Sequence, residues 1–431
     1  MKKKNVLFIA YYFPPLAGGG VYRTLKFAKY VREFGYTPII LTVNPRFINY
    51  TKDNTLLKEL NGIKIIRTPF IDISWFYKPF YFFHLNKVLN YLKNKFLIPD
   101  DKLTWPFFAK KAIRKITEKI DLIFITGGPF SSFEIGKYAK EKLDASLILD
   151  FRDEWTNAPQ YLDLNIPLER KTKELHLEKS ILNAADGIVY LTKMMKNNFI
   201  RNNNSIANKI SEIIPNGYDS EDFAGIQKSN LKKKNEINFL YTGLIYSIRE
   251  QPFYLFLKAI SELIDENKIN QLDIKITVVG NNDSSLLNSF TKQEQSILSK
   301  RIIFKSYLPK KEALQMAVDT DILLLFIGSG KNAASIYTGK IFEYIASDTP
   351  IFGIVPTNGV AADLIRSTKT GIIANPDSYI EIKDKLQYLL INYKSSTLNQ
   401  DWTEIKKYKR KNQTKVLSNL FDKVLSSTLK I

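Results

Sequence analysis

Lys340 and Glu343 stand three residues apart behind a loop of small residues, in the stretch Ser335-Ile-Tyr-Thr-Gly-Lys-Ile-Phe-Glu-Tyr-Ile-Ala-Ser-Asp-Thr-Pro350. Upstream, Asp321–Ile327 is an apolar run of strand length and Gly328–Ala334 a loop. Strand, small-residue loop and helix follow in the order that turns first-turn N–H groups and the positive end of a helix dipole toward an anion such as phosphate. Lys340 adds a formal charge there, and Thr338 or Gly339 would cap the helix. The spacing puts Glu343 on the same helical face. A carboxylate only accepts hydrogen bonds, so beside a phosphate its partner would be a diol such as a ribose. The plain alternative is a core stripe of Ile341, Phe342, Ile345 and Ala346 with Lys340 and Glu343 as a surface ion pair.

Two further groups have residue types suited to chemistry. Tyr11-Tyr-Phe-Pro-Pro-Leu-Ala-Gly-Gly-Gly20 separates a strand, Asn5–Ala10, from a helix, Val21–Phe34. Gly18, Gly19 and Gly20 would let backbone approach a ligand at that helix start, with Arg23 on its first turn. The spacing is not G-x-G-x-x-G, which leaves little case for a dinucleotide site. Asp150-Phe-Arg-Asp-Glu-Trp155 follows the strand Ser146–Leu149. Carboxylates flanking Arg152 are either an ion-pair network that fixes the loop or part of an active site, and we favour the second. His84 and His176 suit structural or surface roles.

These groups need elements to position them. Thr37–Val43, Ile63–Arg67, Asp121–Thr126, Gly187–Leu191 and Ile210–Ile214 read as further strands, with helices over Ser131–Leu143, Leu168–Ala184 and Lys193–Phe199. Pro215-Asn-Gly-Tyr-Asp219, a turn signal followed by the polar run Ile226–Glu236, reads as the domain boundary, placed after residue 218. A second series follows: strands Ile237–Tyr241, Ile274–Val279, Ile302–Lys305, Asp321–Ile327 and Ile351–Val355, with helices Pro252–Glu266, Lys310–Val318 and Val360–Arg366. Alternation of this kind means βαβ units, parallel sheets and ligands at the carboxyl ends of strands. The last segment, Trp402–Ile431, has helically spaced apolar residues from Val416 to Leu425.

A chain of 431 residues is too long for one hydrophobic core, and 45% apolar with 25% charged residues is a globular balance, so two domains are expected. There are no cysteines, which excludes disulfides, thiolate metal sites and a cysteine nucleophile. Met1–Ala10 reads as a first strand in a cytoplasmic protein, not a signal peptide, and no run reaches the roughly 18 apolar residues that span a bilayer. The net charge is +20, and residues 1–120 hold 22 Lys plus Arg against 7 Asp plus Glu. Such an excess suits an acidic partner, nucleic acid or an anionic membrane surface, unless it merely decorates a solvated face. Between Phe70 and Phe108, 13 of 39 residues are aromatic, interleaved with lysines, which favours the bilayer interface or a bound lipid.

The segments YYFPPLAGGGVYRTLKFAKYV, DFRDEW, IPNGYD, YTGLIYSIRE and GKIFEYIASDTPIFGIV occur in this order from residue 11 to residue 355. As an ordered set they resemble the GT-B glycosyltransferases, and among these the retaining family 4 enzymes. The resemblance implies an α/β fold of two Rossmann-like domains facing each other across a cleft, with an acceptor-binding domain over residues 1–218, a nucleotide-sugar domain over 219–400 and a C-terminal helix, 401–431, returning to the first domain. It implies that Glu343 matches the second glutamate of an E-x7-E motif and binds the donor ribose. Ser335 stands where the first glutamate would be. The family's paired Arg and Lys fall at Leu244 and Arg249, so only the second keeps its charge. Arg249 and Lys340 are then the groups that neutralise the departing diphosphate, with Gly18, Gly19, Gly20, Arg23, Arg152, Asn216, Gly243, Tyr246, Ser335, Tyr337, Thr338 and Gly339 as further substrate contacts.

Breaking a bond between a sugar carbon and a diphosphate builds negative charge on phosphate, which fixed cations stabilise, so no metal cofactor is needed and the chain has no D-x-D triplet. Asp153, or Asp150, would orient the acceptor hydroxyl, and the resemblance implies that the departing phosphate takes its proton. The partners expected are a nucleotide-sugar donor, a lipid-linked or glycan acceptor of bacterial surface-polysaccharide synthesis, and the inner face of the cell membrane, without nucleic acid. The rival readings are a GT-B nucleotide-sugar epimerase, a catalytically idle scaffold and a nucleic-acid binder, the last lacking any recognised module.

Overall fold

A computed structural model describes residues 3–157, 166–229, 235–269, 272–280, 282–330, 332–392 and 399–428. The chain forms two compact units, one of residues 1–216 with 410–431 and the other of 217–409. The polar run Ile226–Glu236 that follows the turn lies in the second unit, with residues 230–234 outside the described part. The chain first passes between units at Asn216 and Gly217, within the P-N-G-Y turn. Residues 401–409 belong to the second unit, where the buried Ile405 joins the core.

In the first unit the described strands form a parallel sheet in the order β3-β2-β1-β4-β5-β6-β7. These strands are Lys4–Ile9, Tyr36–Val43, Lys64–Thr68, Leu122–Thr126, Ser146–Asp150, Gly187–Tyr190 and Ile210–Ile213, numbered β1 to β7 along the chain. The helices are α1 (Gly19–Tyr30), α2 (Lys78–Phe82), α3 (Asn86–Phe96), α4 (Trp105–Ile113), α5 (Phe133–Leu143), α6 (Leu168–Ala184) and α7 (Lys193–Asn202). Strands covered on both faces read as near-continuous apolar runs. Every residue of β4 and β5 is accordingly buried. The chain order reverses between β1 and β4, and Val6 lies opposite both Pro38 and Leu122. At such a reversal the loops leave the sheet on opposite faces and open a crevice at the strands' carboxyl ends.

The second unit repeats the plan as β10-β9-β8-β11-β12-β13. Its strands are β8 (Glu236–Thr242), β9 (Asp273–Val279), β10 (Ile302–Lys305), β11 (Ile322–Phe326), β12 (Ile351–Ile354) and β13 (Gly371–Ala374). Its helices are α8 (Glu250–Asp265), α9 (Lys292–Ser299), α10 (Lys310–Asp319), α11 (Lys340–Ala346), α12 (Val360–Thr368), α13 (Tyr379–Asn392) and α14 (Trp402–Lys406). Here the reversal lies between β8 and β11, where Ile322 is opposite Phe239.

The last helix, α15 (Arg410–Thr428), packs in the first unit. Leu417, Leu420, Phe421 and Val424 are fully buried, with the Phe421 ring 5.2 Å from that of Tyr36 and 5.9 Å from that of Phe124. Tyr36 donates its hydroxyl to Asp422 at 2.7 Å. Gly187 lets the helix approach β6, since a Cβ there would lie 2.8 Å from Val424 Cγ2.

Candidate functional site

In the second unit the site is built on the loop after β8. Gly243 takes φ +123°, a backbone region that side chains disfavour, and a Cβ there would stand 2.7 Å from Lys340 Nζ. The loop from Gly243 to Arg249 is clamped by the two flanking strand ends. Beyond β9, Asn282 donates Nδ2 to the Gly243 carbonyl and accepts from the Ile245 N–H, both at 2.8 Å. Beyond β11, the Gly328 N–H donates to the Ile248 carbonyl at 2.6 Å. A Cβ on Gly328 would lie 2.4 Å from that oxygen, so only glycine permits the contact.

Lys340 opens α11 with its Nζ 3.6 Å from the centre of the Tyr241 ring, and the Arg249 guanidinium lies 4.9 Å from the centre of the Tyr246 ring. Among the described residues, neither side chain makes a hydrogen bond or an ion pair; their contacts are these rings. Burial and the nearby Arg249 charge push the Lys340 ammonium well below its ordinary range, with Glu343 pulling the other way. The like charges of Arg249 and Lys340, one on the loop and one at the start of α11, repel each other, and an anion bound between them removes the repulsion.

Glu343 does not pair with Lys340. Its carboxylate meets Lys310 Nζ, from the first turn of α10, at 3.2 Å, and Lys310 also holds Asp222 at 2.5 Å. The side chain stays 30% exposed, enough to leave an oxygen for a ligand. Gly339 is the N-cap of α11 and supplies no side-chain cap; Thr338 does not cap it either, and its Oγ1 is buried without a hydrogen-bond partner. Ser335 turns its hydroxyl back to the Asn332 carbonyl at 2.8 Å, and the Tyr337 ring packs 5.3 Å from Phe342.

The first unit treats its cations differently. Arg23, on α1, is 1% exposed and grips the fully buried Asp150 through Nε at 2.9 Å and Nη2 at 2.6 Å, with Nη1 donating to the Pro215 carbonyl at 2.9 Å. Thr126 adds a hydroxyl to Asp150 at 2.8 Å. Burial pushes this carboxyl up, but the charges of Arg23 and Arg152 with these hydrogen bonds outweigh it and hold Asp150 below the ordinary carboxylate range. Arg152 donates from Nε to Thr126 at 2.7 Å, from Nη2 to Thr24 at 2.6 Å, and from Nη1 to the Gly20 carbonyl. Burial lowers its pKa to about 10.

Arg23, Asp150 and Arg152 thus form a hydrogen-bonded ion-pair network that fixes the loop. Asp153 makes no hydrogen bond among the described residues, although the Arg152 charge acts on it. Gly18 takes φ +111° and caps α1. Gly19 has open space where a Cβ would go, and Gly20 brings its carbonyl to Arg152. Asn216 lies against α15, its carbonyl accepting from Gln413 at 2.9 Å.

The chain matches sucrose-phosphate synthase from Thermosynechococcus elongatus over 99% of its length and 100% of that chain, at TM-score 0.65 and 12% identity. It matches α,α-trehalose 6-phosphate synthase from Burkholderia multivorans over 100% and 98%, at TM-score 0.65 and 11% identity. Anabaena HepE, solved with UDP and glucose, matches over 99% and 98%, at TM-score 0.56 and 13% identity. The chain has the GT-B fold. No protein-family model and no curated protein sequence matches it.

Within this GT-B chain, the structure gathers Gly243, Tyr246, Arg249, Lys340 and Glu343 around the carboxyl ends of β8 and β11, and Gly18, Gly19, Gly20, Arg23, Arg152 and Asp153 around those of β1 and β5. Sequence reasoning missed Lys310, Asp222, Tyr241 and Asn282. Tyr241 lies on β8 only two residues before Gly243, and that closeness in the chain offered a signal. The others lie in loops or helix starts far along the chain, and nothing local marks them.

Proposed function

We propose that the protein is a glycosyltransferase that moves a sugar, with retention, from a nucleotide-sugar donor to a lipid-linked or saccharide acceptor of surface-polysaccharide synthesis. Kinship with family 4 within the GT-B fold belongs to this proposal. The observation that carries it is the pair of cations, Arg249 and Lys340, flanking Gly243 without an anionic partner among the described residues. The donor class is supported by HepE, a fold neighbour solved with UDP and glucose.

In this mechanism the bond from the sugar's anomeric carbon to the diphosphate breaks, and its electron pair leaves with the phosphate. Arg249, on the clamped Gly243 loop, and Lys340, at the start of α11, meet that charge with little rearrangement. The glycine keeps the backbone low enough for the diphosphate to reach both cations. Glu343, held by Lys310, accepts from the ribose hydroxyls equally in ground and transition states. The acceptor oxygen attacks the anomeric carbon, oriented by Asp153, and its proton passes to the departing phosphate. Protein cations fill the role a metal ion plays in other transferases, so no metal is assigned.

The test is nucleoside diphosphate release from a panel of nucleotide sugars, with and without EDTA. One donor is expected to be consumed, with EDTA leaving the rate within a factor of about two. Release of an epimerised free sugar in place of transfer would convert the reading to an epimerase, and no donor consumed or bound would end it.

A further inference from the structure

We propose that residues 73–96 form an interfacial anchor that seats the protein on an anionic lipid bilayer. This surface stands independently of the transfer chemistry proposed above. The segment is a short turn, Ile73–Tyr77, followed by α2 and α3. Only Leu89 in it is buried, and Tyr81–Val88 are exposed without a break. Trp75 and Phe76 are each 70% exposed, Phe82 78%, Phe83 65%, Tyr91 61% and Phe96 62%. Scattered exposed apolar residues are ordinary, but a contiguous run of large aromatics in water marks a surface that meets something else.

The charge pattern selects the occupant. Residues 73–99 contain Lys78, Lys87, Lys93 and Lys95, with no Asp, Glu or Arg. Lys78 Nζ lies 4.8 Å from the centre of the Trp75 ring, Lys93 Nζ 4.0 Å from that of Tyr77, and Lys95 Nζ 5.6 Å from that of Phe96. Protein interfaces favour arginine and deplete lysine, whereas aromatic rings with lysines on flexible stems suit the boundary of acyl chains and anionic headgroups. Among the described residues no helix is long and apolar enough to cross a membrane, so the segment lies on the bilayer.

The anchor is fastened to the fold. Arg170 of α6 donates to Asn94 Oδ1 at 3.1 Å and to the Pro99 carbonyl at 3.0 Å. Phe70 and Trp105, on either side of the segment, pack 5.4 and 5.2 Å from the Tyr11 ring, and Trp105 Nε1 donates to Thr68 at the end of β3 at 2.8 Å. Tyr11 opens the loop that runs to Gly18 at the start of α1. The bilayer would therefore lie on the side of the first unit where its strands end, which suits an acceptor presented by lipid.

The experiment is flotation of the full chain with vesicles of phosphatidylcholine alone and of phosphatidylcholine mixed with phosphatidylglycerol, at low and high salt. Binding is expected to the anionic vesicles only and to weaken with salt, since screening shortens from about 10 Å at 0.1 M to 3 Å at 1 M. Each lysine at an anionic surface contributes about a fivefold factor, so K78S with K87S should weaken partitioning about 20- to 30-fold at low salt. W75S with F82S should abolish it, with a thermal melt equal to wild type because both side chains are exposed. No binding to anionic vesicles, or binding unchanged in W75S/F82S, overturns the proposal. So does concentration-dependent dimerisation, or RNA binding without vesicle binding, if lost in W75S/F82S. Donor consumption by the same variants in solution should match wild type, which separates a failed anchor from failed transfer chemistry.

Discussion

The two units end their central strands in loops of similar plan but opposite electrostatics. In the first, Arg23 and Arg152 are enclosed and their guanidinium groups are committed to Asp150, Thr126, Thr24 and backbone carbonyls. In the second, Arg249 and Lys340 make no hydrogen bond or ion pair among the described residues, and each lies against an aromatic face. A cation whose donors are satisfied stabilises the loop that carries it, and removing it leaves an uncompensated buried charge. A cation left without an anion costs some stability in the free protein and is repaired by a ligand. The same residue types at matching strand ends can thus be scaffold in one unit and binding group in the other.

The strongest test of the scaffold side is to end the chain after Lys409, which removes α15. Leu417, Leu420, Phe421 and Val424 are fully buried, and losing their burial at about 1.5 to 3 kcal/mol each removes roughly 6 to 12 kcal/mol, comparable with the whole stability of a domain. The truncated protein should be insoluble or lack a cooperative melt, and an unchanged melt would show that α15 is dispensable.

Next in size is Asp150→Asn. Arg23 would remain buried without its counter-charge, and we expect a loss of about 3 to 5 kcal/mol, read from denaturant unfolding. The pH dependence has a fixed sign. Asp150 is depressed in the folded protein, so its stabilisation is fully present above the ordinary carboxylate pKa of about 3.9 and disappears as pH falls through the lower folded value. Wild type should therefore lose this stability in acid, and Asp150→Asn should show a flatter profile there.

On the ligand side, Arg249→Ala and Lys340→Met should lower kcat about 100- to 1000-fold, the cost of losing one preorganised charge contact. The same variants should melt at or above the wild-type temperature, because each removes a like-charge repulsion. UDP, used as a probe, should raise the wild-type melting temperature and raise it less in either variant. A destabilised Lys340→Met with wild-type turnover would move Lys340 to the scaffold class and erase the contrast between the units.

The smallest effect belongs to Glu343→Gln, which should raise the donor KM about tenfold with little change in kcat, because the ribose contact does not change as the bond breaks. Lys310→Met should do the same, since Lys310 holds Glu343 at 3.2 Å. A fall in kcat with KM unchanged in either variant would put Glu343 in the transition state instead.

Strands β1, β4, β8 and β11 were legible because each is a short apolar run closed by turn residues, and alternation with helices gave the parallel sheets. Strand β13 was missed: four residues, Gly371–Ala374, follow a polar stretch. Its glycine is required by packing alone, a Cβ lying 1.9 Å from the Ile351 carbonyl. At the site, Lys340 and Arg249 were legible as cations at strand ends. That Glu343 turns to Lys310 was not, because the two meet only once α10 and α11 pack.

Periodic and local features follow from the order of residues: the two βαβ series, the glycines at strand ends, the basic aromatic stretch and the types of residue at each loop. Tertiary structure alone decided which charges are spent. Arg23 and Asp150 are 127 positions apart, and Lys310 and Asp222 are 88. Pairing across such separations follows from the order of strands in the sheet, which brings loops to one edge, and from burial, which makes every unpaired charge there costly. Arg152 and Arg249 look alike in the chain; only the neighbours the sheets bring to them distinguish them.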